Sequence, residues 1–302
     1  MLFLVVVLYA LWGFTFTLGK VTIAYAHPLF IVGLRTLVSG LILISYIFLS
    51  KKMRCYPKRQ DIALYVQIAL FVSFLPHILR LWALQSMTTV KASLLFNTGP
   101  FFTAVLSYFL RKDRLTGLQI IGLFIGFSGM IPILLTDSAA EQLYTSWWFI
   151  SLPELAVLAG VASFSYGLLL MQDLVKHRGC PPVLANGVSM LLAGCASLGL
   201  MVVSPVAPLR GNVWVFLGVF ALQVLISNLF CSNLQAWLLK SYSPTFMSFA
   251  SFLSPVFTAF YGVFLFKERI TWHFFATFCM VVLGLGLYIY AERGEKQPEC
   301  SS

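Results

Sequence analysis

Ten apolar stretches, each about twenty residues long and almost free of charge, follow one another along this chain. They cover roughly residues 2–20, 29–49, 62–83, 90–110, 117–135, 149–171, 183–203, 213–235, 246–266 and 272–290. A helix of that length spans about 30 Å, the thickness of the hydrocarbon core of a bilayer. Within lipid a helix satisfies its own backbone hydrogen bonds, which an isolated strand cannot do. The pattern therefore predicts an all-α polytopic membrane protein with ten transmembrane helices.

The composition excludes the main alternatives to that fold. Hydrophobic residues make up 60% of the chain and charged residues only 10%, against about 25% in an average soluble domain. The strands of a membrane β-barrel alternate apolar with polar residues, and these stretches do not. The short connections leave no room for a soluble catalytic module, and no Walker-type phosphate loop is present, so we expect no ATP hydrolysis. The six cysteines form no CxxC pair, so neither a metal site nor a cofactor is predicted.

The basic residues indicate how the chain is oriented. Its net charge of +10 is interpreted as topology, not as nucleic-acid binding, because the basic residues lie mainly in short loops. With the N-terminus inside, the inner loops hold thirteen Lys and Arg residues and the outer side holds five, namely Lys20, Lys91, Arg210, Lys267 and Arg269. The positive-inside rule then places both termini in the cytoplasm. We expect a multi-pass protein of a bacterial inner membrane, surrounded by lipid; the oligomeric state stays open, and a monomer is compatible with the sequence.

An internal repeat is the most informative feature of the sequence. When the chain is shifted by 155 residues, nine of the eighteen positions from Gly99 to Thr116 are identical, among them Pro100 with Pro255. Each copy would contain five helices, and because five is odd, the second copy must cross the membrane in the opposite sense. Inverted repeats are typical of secondary transporters, whose two halves rock to expose one central site to either side. The predicted units are two inverted five-helix repeats at 1–137 and 148–292 and a polar tail at 293–302.

Several short motifs occur in a recognisable order along the chain. They are Trp12, Gly13 and Lys20; Pro28 and Arg35; Ala83, Leu84, Lys91, Ala92, Ser93 and Pro100; and Lys112, Asp113, Arg114, Gly122 and Gly129. In this order and with the repeat, they resemble the drug/metabolite transporter superfamily, specifically its ten-helix EamA type with two tandem units. The resemblance extends over nearly the whole chain, although none of the motifs is specific by itself.

The resemblance implies a secondary active transporter for a small metabolite, with a central cavity lined by helices one, three, four, six, eight and nine. The chain is also similar overall to the S-adenosylmethionine carriers of obligate intracellular bacteria, which belong to this family. That similarity implies uptake of S-adenosylmethionine in exchange for S-adenosylhomocysteine. Export of an amino acid, a drug or another metabolite by the same fold remains open. A membrane-embedded enzyme is disfavoured because only His77 among the histidines falls within a span, and a channel because no ring of repeated motifs is present.

Ionisable residues inside a bilayer are costly, so each one is a candidate site residue. Glu154 is placed about five residues into the sixth helix, where it either receives a cationic substrate group or a proton, or pairs with Arg35, Arg80 or Lys20. Arg35, in the second helix, either holds a substrate carboxylate through two parallel hydrogen bonds or has a structural role.

His77 and Arg80 are one helical turn apart and share a face of the third helix. We place them at the outer mouth of the cavity, with snorkelling of Arg80 to the membrane interface as the alternative. For Lys20 and Lys91, at helix ends, snorkelling is the expected behaviour.

Polar and aromatic residues near the two prolines complete the candidate set. Pro100 and Pro255 each free a backbone carbonyl inside the bilayer, and paired interruptions in two halves are a pointer to a transport site. The cavity candidates are Ser93, Phe96, Asn97, Ser248, Ser251 and Phe252, with Gln223, Asn228 and Asn233 in the eighth helix; simple kinking and helix bridging is the alternative. The candidates for an aromatic cage are Trp12, Phe16, Trp82, Tyr166 and Trp237. Gly122 and Gly126 are interpreted as a close-packing motif.

Overall fold

The computed structural model describes residues 2–50, 59–111, 116–129, 131, 146–147, 150–204, 206–242, 244–267 and 272–295. Seven helical stretches in it are long and apolar enough to cross a membrane: Phe3–Ile23, Pro28–Leu49, Arg59–Ala83, Thr89–Leu110, Leu152–His177, Pro182–Val203 and Val213–Leu238. Three shorter apolar helices are Gly117–Ser128, Leu253–Phe266 and Trp272–Gly284. The chain is therefore a polytopic α-helical membrane protein. The repeated Lys112–Arg114 motif, the predicted boundaries at 137 and 148, and the end of the tail lie outside the described residues.

The elements follow one another in a simple order. They are α1 (Leu2–Ile23), α2 (Pro28–Leu49), α3 (Arg59–Ala83), α4a (Thr89–Phe96), α4b (Gly99–Arg111), α5 (Gly117–Ser128), β1 (Ser146–Trp147), β2 (Ile150–Ser151), α6 (Leu152–His177), α7 (Pro182–Val203), α8 (Val213–Leu238), α9a (Pro244–Ala250), α9b (Leu253–Phe266) and α10 (Trp272–Glu295). The two short strands pair antiparallel, with Ser146 opposite Ser151.

Helix starts are determined by local capping residues. The Thr88 side chain accepts a hydrogen bond from the Lys91 backbone N–H at the start of α4a. Thr116 and Gln119 form a reciprocal capping box at the start of α5, and α2 begins with Pro28, whose fixed φ suits a first helical position. These caps satisfy N–H groups that have no partner within the helix.

The two predicted spans at 90–110 and 246–266 are each interrupted a few residues before the proline that indicated a break. α4 breaks at Asn97 and Thr98, and α9 breaks at Ser251 and Phe252. The breaks precede Pro100 and Pro255, which lie in the first turns of α4b and α9b. A proline is tolerated in a first turn because its missing N–H would be unpaired there in any case.

Three segments are wound more loosely than an α-helix, with hydrogen bonds from residue i to i+5. They are Ala69–Phe74 in α3, Asp173–His177 in α6 and Val224–Cys231 in α8. At their ends the N–H of Leu75 bonds to the Leu70 carbonyl and the N–H of Ser232 to the Ser227 carbonyl. Such π-segments often occur near functional sites.

Each helix packs against particular neighbours. α2 packs on α7 and α5 on α10, while α1 packs on both α8 and α9b, and α6 packs on both α3 and α4b. Gly284 of α10 lies so close to α5 that a Cβ placed there would be 2.5 Å from the Gly122 carbonyl oxygen and 2.6 Å from the Gly126 nitrogen. Gly126 in turn lies against the Phe101 ring.

Contacts between loops lie at both ends of the helices. Just before α2, the His27 N–H donates to the Pro208 carbonyl at 2.9 Å, between α7 and α8. Beyond the other end of α2, Asp61 accepts from Arg178, between α6 and α7, with 2.5 Å between Oδ1 and Nη1. Large apolar side chains such as Phe48 and Trp214 are exposed on the outside, as expected for surfaces that face lipid.

Candidate functional site

A cavity lies between α1, α3, α4, α6, α8 and α9, with about 690 Å³ of atom-free space when the solvent at its opening is included. Its lining combines residues predicted from sequence with residues that were not. Those predicted are Trp12, Phe16, His77, Arg80, Ser93, Phe96, Asn97 and Ser251. The others are Tyr9, Pro76, Gly99, Val161, Phe164, Ser165, Leu168, Gln235 and Ser254.

Arg80 supplies a positive charge in the cavity wall. The side chain is buried, so it does not snorkel to the interface, and its guanidinium lies 4.8 Å from the centroid of the Phe16 ring. Its Nε and Nη2 atoms have no hydrogen-bond partner within the described part of the chain. The cation–π contact orients the guanidinium and leaves its donors available to a ligand.

Arg35 is a second buried cation next to this wall. It is fully buried in α2, does not line the cavity, and lies close enough to Arg80 and His77 for their charges to interact. None of its three guanidinium nitrogens has a hydrogen-bond partner among the described residues. An arginine does not lose its proton in a protein, so both side chains carry charge in a region of low dielectric constant.

The acidic side chains that the structure describes are all used elsewhere. Glu154 lies 2.7 Å from Lys91, Asp61 lies 2.5 Å from Arg178, and Asp173 is 3.4 Å from the same arginine. No described carboxylate therefore neutralises Arg35 or Arg80. A cavity wall with unpaired guanidinium donors favours a ligand that brings its own carboxylate.

The structure corrects the predicted position and the predicted pairing of Glu154. It is the third residue of α6, not the fifth within a span, because the helix begins at Leu152. Its Oε2 accepts from the Ser151 N–H at 2.5 Å, and its Oε1 pairs with Lys91 instead of Arg35, Arg80 or Lys20. Lys91 is itself buried and does not snorkel, and neither residue lines the cavity.

Aromatic rings form one side of the cavity. The Trp12 and His77 rings stack with 6.5 Å between centroids and an angle of 11°, and Phe164 meets Trp12 edge-on. Phe96 lies 5.8 Å from both Phe16 and Phe164. These faces suit a flat heterocycle or a cation.

Four other aromatic candidates do not line this cavity. Trp82 packs against a cluster of apolar residues beside α3, and Phe252 is buried in the same cluster. Tyr166 makes an edge contact with Phe71, with 4.9 Å between ring centroids. Trp237 is partly exposed and also lines neither cavity.

The two helix breaks meet at the cavity. Ser251, at the break in α9, donates to the Asn97 Oδ1 at the break in α4 over 3.3 Å, while the Asn97 Nδ2 has no partner in the described part of the structure. Beyond the breaks, α4b and α9b begin beside the cavity, where Gly99 and Ser254 line it. Two helix N-termini add partial positive charge to the two arginines.

A second, smaller space adjoins the first and shares Trp12, His77, Phe164, Leu168 and Gln235 with it. Its lining is richer in amides, with Asn186 and the predicted Asn228. The Asn186 Nδ2 donates to the Asn233 side chain at 3.1 Å. Ser248 lies in α9a, but its side chain is outside the described residues. Among the described residues no group of His, Cys, Asp and Glu is suited to a metal ion.

Two of the lining residues that were not predicted are recognisable in the sequence. Gln235 is a polar residue in an apolar stretch, and Ser254 directly precedes Pro255. Tyr9, Pro76 and Phe164 carried no such signal, because the sequence does not show which face of a helix is directed to the centre.

Comparisons with known proteins agree with this architecture. The model of the EamA-like transporter family matches residues 1–135 and 151–290. A Chlamydia muridarum protein called S-adenosylmethionine/S-adenosylhomocysteine transporter is 29% identical over 93% of this chain and 89% of that protein. An uncharacterized transporter of Buchnera aphidicola is 23% identical over 92% of this chain and 89% of that protein. A solved crystal structure superposes with a TM-score of 0.67 at 17% identity, covering 98% of this chain and 97% of the other.

Proposed function

Because this chain belongs to the EamA-like transporter family, we propose that it takes up S-adenosylmethionine across a bacterial inner membrane in exchange for S-adenosylhomocysteine. It is a membrane transporter, not an enzyme. The observation that carries the substrate proposal is a cavity whose wall joins the unpaired donors of Arg80 to stacked aromatic rings.

The chemistry of the two ligands matches that combination. Both contain a carboxylate, which the free donors of Arg80 would bind through charge-assisted hydrogen bonds. Both contain adenine, a flat ring that stacks on faces such as Trp12 and Phe96 and has polar edges for amides such as Asn228 and Gln235.

S-adenosylmethionine has a sulfonium in addition, and no described carboxylate faces it. The aromatic faces beside Arg80 would therefore stabilise that cation through cation–π contacts, each about 0.5–2 kcal/mol. In this account the carboxylate anchors either ligand, and the neutral thioether of S-adenosylhomocysteine needs no partner. This replaces the expected role of Glu154, whose carboxylate is held by Lys91.

We attribute transport to alternating access between two inverted five-helix repeats, at 1–137 and 148–292. Corresponding elements start about 155 residues apart, as α4a at Thr89 and α9a at Pro244 do, and so do the π-segments that start at Ala69 and Val224. The neighbour set supports the same interpretation. In the two halves α1 corresponds to α6, α3 to α8 and α4b to α9b. The contact of α1 with α9b then has its counterpart in that of α6 with α4b, and the contact of α1 with α8 has its counterpart in that of α6 with α3.

The loop contacts support an inversion. In the same correspondence, the loop between α1 and α2 matches that between α6 and α7, and the loop between α7 and α8 matches that between α2 and α3. The contact of Ala26 and His27 with the α7–α8 loop therefore has its counterpart in the contact of Asp61 with Arg178. These two contacts lie at opposite ends of α2, so the correspondence also swaps the two ends. An in-plane two-fold axis has this property. It implies ten crossings, with the shorter described helices counted, and both termini in the cytoplasm.

The test is uptake of radiolabelled S-adenosylmethionine into liposomes that contain the purified protein, with and without S-adenosylhomocysteine inside. We expect saturable uptake that internal S-adenosylhomocysteine accelerates, and loss of that uptake in Arg80→Gln. Arg210→Gln, at an exposed loop arginine, is the matched control and should transport normally. Absence of uptake by correctly folded wild-type protein would refute the proposal that S-adenosylmethionine is the substrate.

Export of an amino acid is the second candidate. The unpaired arginine donors favour it as much, because every amino acid carries the carboxylate that Arg80 would bind. Counterflow of labelled amino acids without any flux of S-adenosylmethionine would establish this alternative.

A further inference from the structure

Two guanidiniums remain charged and unneutralised when the cavity is empty. Arg35 is fully buried, and Arg80 is only 2% exposed. Five of their six guanidinium nitrogens have no hydrogen-bond partner in the described part of the structure. Taking an ion out of water costs several kcal/mol even after relaxation of the protein.

The protein has no described side chain that compensates these charges. Asp61, Glu154 and Asp173 each pair with a basic residue at the ends of the helices. Asn97, at the break in α4, contributes a free amide donor to the cavity and not an acid. Among the described residues the two guanidiniums therefore leave an excess of positive charge, which a mobile anion can screen.

We infer that a small inorganic anion of the chloride class binds beside Arg80 in the substrate-free carrier and is displaced by the carboxylate of the substrate. Arg80 lines the cavity and presents its donors there, with Arg35 behind it adding to the field. A monovalent anion loses less hydration energy than a doubly charged one, so it suits this largely apolar wall. The Asn97 Nδ2, which has no partner among the described residues, supplies a further donor to the same cavity.

The anion site has consequences for binding and for transport. Binding to the native state alone raises thermal stability by mass action, and competition raises the KM for substrate in proportion to the anion concentration. The competition rests on the proposed function. The anion site itself is independent of the proposed function, because its effect on thermal stability is measured without any organic substrate.

The first experiment compares the thermal unfolding of the purified, substrate-free protein in chloride and in isethionate, a larger monovalent anion without a carboxylate, at fixed ionic strength. We expect a higher Tm in chloride that rises with chloride concentration as RT ln(1 + [Cl⁻]/Kd), where Kd is the dissociation constant of the anion. This difference should vanish in Arg80→Gln and persist in Arg210→Gln. Equal Tm values in both salts for the wild type, or the same difference in Arg80→Gln, would overturn the inference.

Two further measurements separate this inference from the proposed function. If Arg80→Gln does not fold, the wild type alone decides, because a chloride-specific Tm shift that follows this logarithmic dependence is required of it. Where S-adenosylmethionine is transported, its KM should double at a chloride concentration equal to the dissociation constant that the Tm dependence gives. Chloride stabilisation without any flux would leave the anion site standing and refute only the substrate. A KM that is independent of chloride would place the anion elsewhere and contradict the inference.

Discussion

Lys91 and Glu154 form an ion pair with 2.7 Å between Nζ and Oε1, in which the lysine side chain is 4% exposed and the glutamate is fully buried. The pair joins α4a to the first turn of α6, and Lys20 of α1 donates to the Met87 carbonyl nearby. The two contacts together connect α6 to α4a and α1 to the loop before α4a, and the pair holds outside the cavity lining an acid that the sequence offered as a site candidate.

Breaking this pair should destabilise the protein strongly. Glu154→Gln leaves the Lys91 ammonium without its carboxylate, and removal of one partner of a buried pair costs about 3–5 kcal/mol. Glutamine retains an oxygen for the Ser151 N–H, so the helix cap is preserved. The Tm of the purified protein measures the loss.

The double variant Lys91→Met with Glu154→Gln shows whether the loss of stability comes from an unpaired buried charge or from the two substitutions as such. We expect it to recover much of the stability, because no uncompensated charge remains. Asp173→Asn, at a partly exposed acid, is the control and should cost about 0–1 kcal/mol. Additive losses in the double variant would show that the two side chains act independently.

Trp12 should report ligand binding directly. Its ring stacks on His77 and faces the cavity, so adenine stacking should change its fluorescence. Trp12→Phe should abolish that change while retaining transport, because a flat ring remains. Trp12→Ala should weaken binding about tenfold, the equivalent of 1.4 kcal/mol. The exposed Trp214 gives the control variant Trp214→Phe, in which the full fluorescence change should remain.

The contact between α5 and α10 should depend on Gly284. A methyl group there would meet the backbone of Gly122 and Gly126 at 2.5–2.6 Å, so Gly284→Ala must separate two helices. We expect a lower Tm. Gly218→Ala has no atom within 4 Å of the added carbon and should be neutral or stabilising by up to about 1 kcal/mol, because alanine favours helix. Equal effects of the two substitutions would contradict this packing.

The inverted arrangement predicts opposite exposure of two loop positions. In a variant without native cysteines, Arg210→Cys should react with a membrane-impermeant maleimide added outside intact cells. Arg178→Cys should react only after the cells are opened, because Arg178 lies at the other end, beside Asp61. Labelling of both positions from the same side would rule out the inversion.

Much of the fold was predictable from sequence, because the bilayer constrains each helix strongly. The polytopic helical class and the transporter family are confirmed, while the ten-helix count and the inversion stay predictions. The helix breaks were indicated by Pro100 and Pro255, yet their exact positions at Asn97 and Ser251 were not. A proline limits the backbone that precedes it, but tertiary contacts decide where the helix opens.

The site was less predictable, because sequence does not show which charges pair. Glu154 was expected either to receive a cationic substrate group or a proton, or to pair with Arg35, Arg80 or Lys20. Its position in the first turn of α6 instead brings it to Lys91. Arg80 was given two equal interpretations, and its burial over Phe16 excludes snorkelling. Both outcomes depend on contacts between helices that are distant in the chain.

The most direct test of the account combines a change in the ligand with a change in the protein. The dissociation constants of S-adenosylhomocysteine and of methylthioadenosine, which lacks the amino-acid end, would be measured for the wild type and for Arg80→Gln. A charge-assisted hydrogen bond contributes about 1.5–3 kcal/mol, so the wild type should prefer S-adenosylhomocysteine by about 10- to 150-fold. In Arg80→Gln the two ligands should bind about equally. An undiminished preference in the variant would contradict the claim that Arg80 binds the substrate carboxylate.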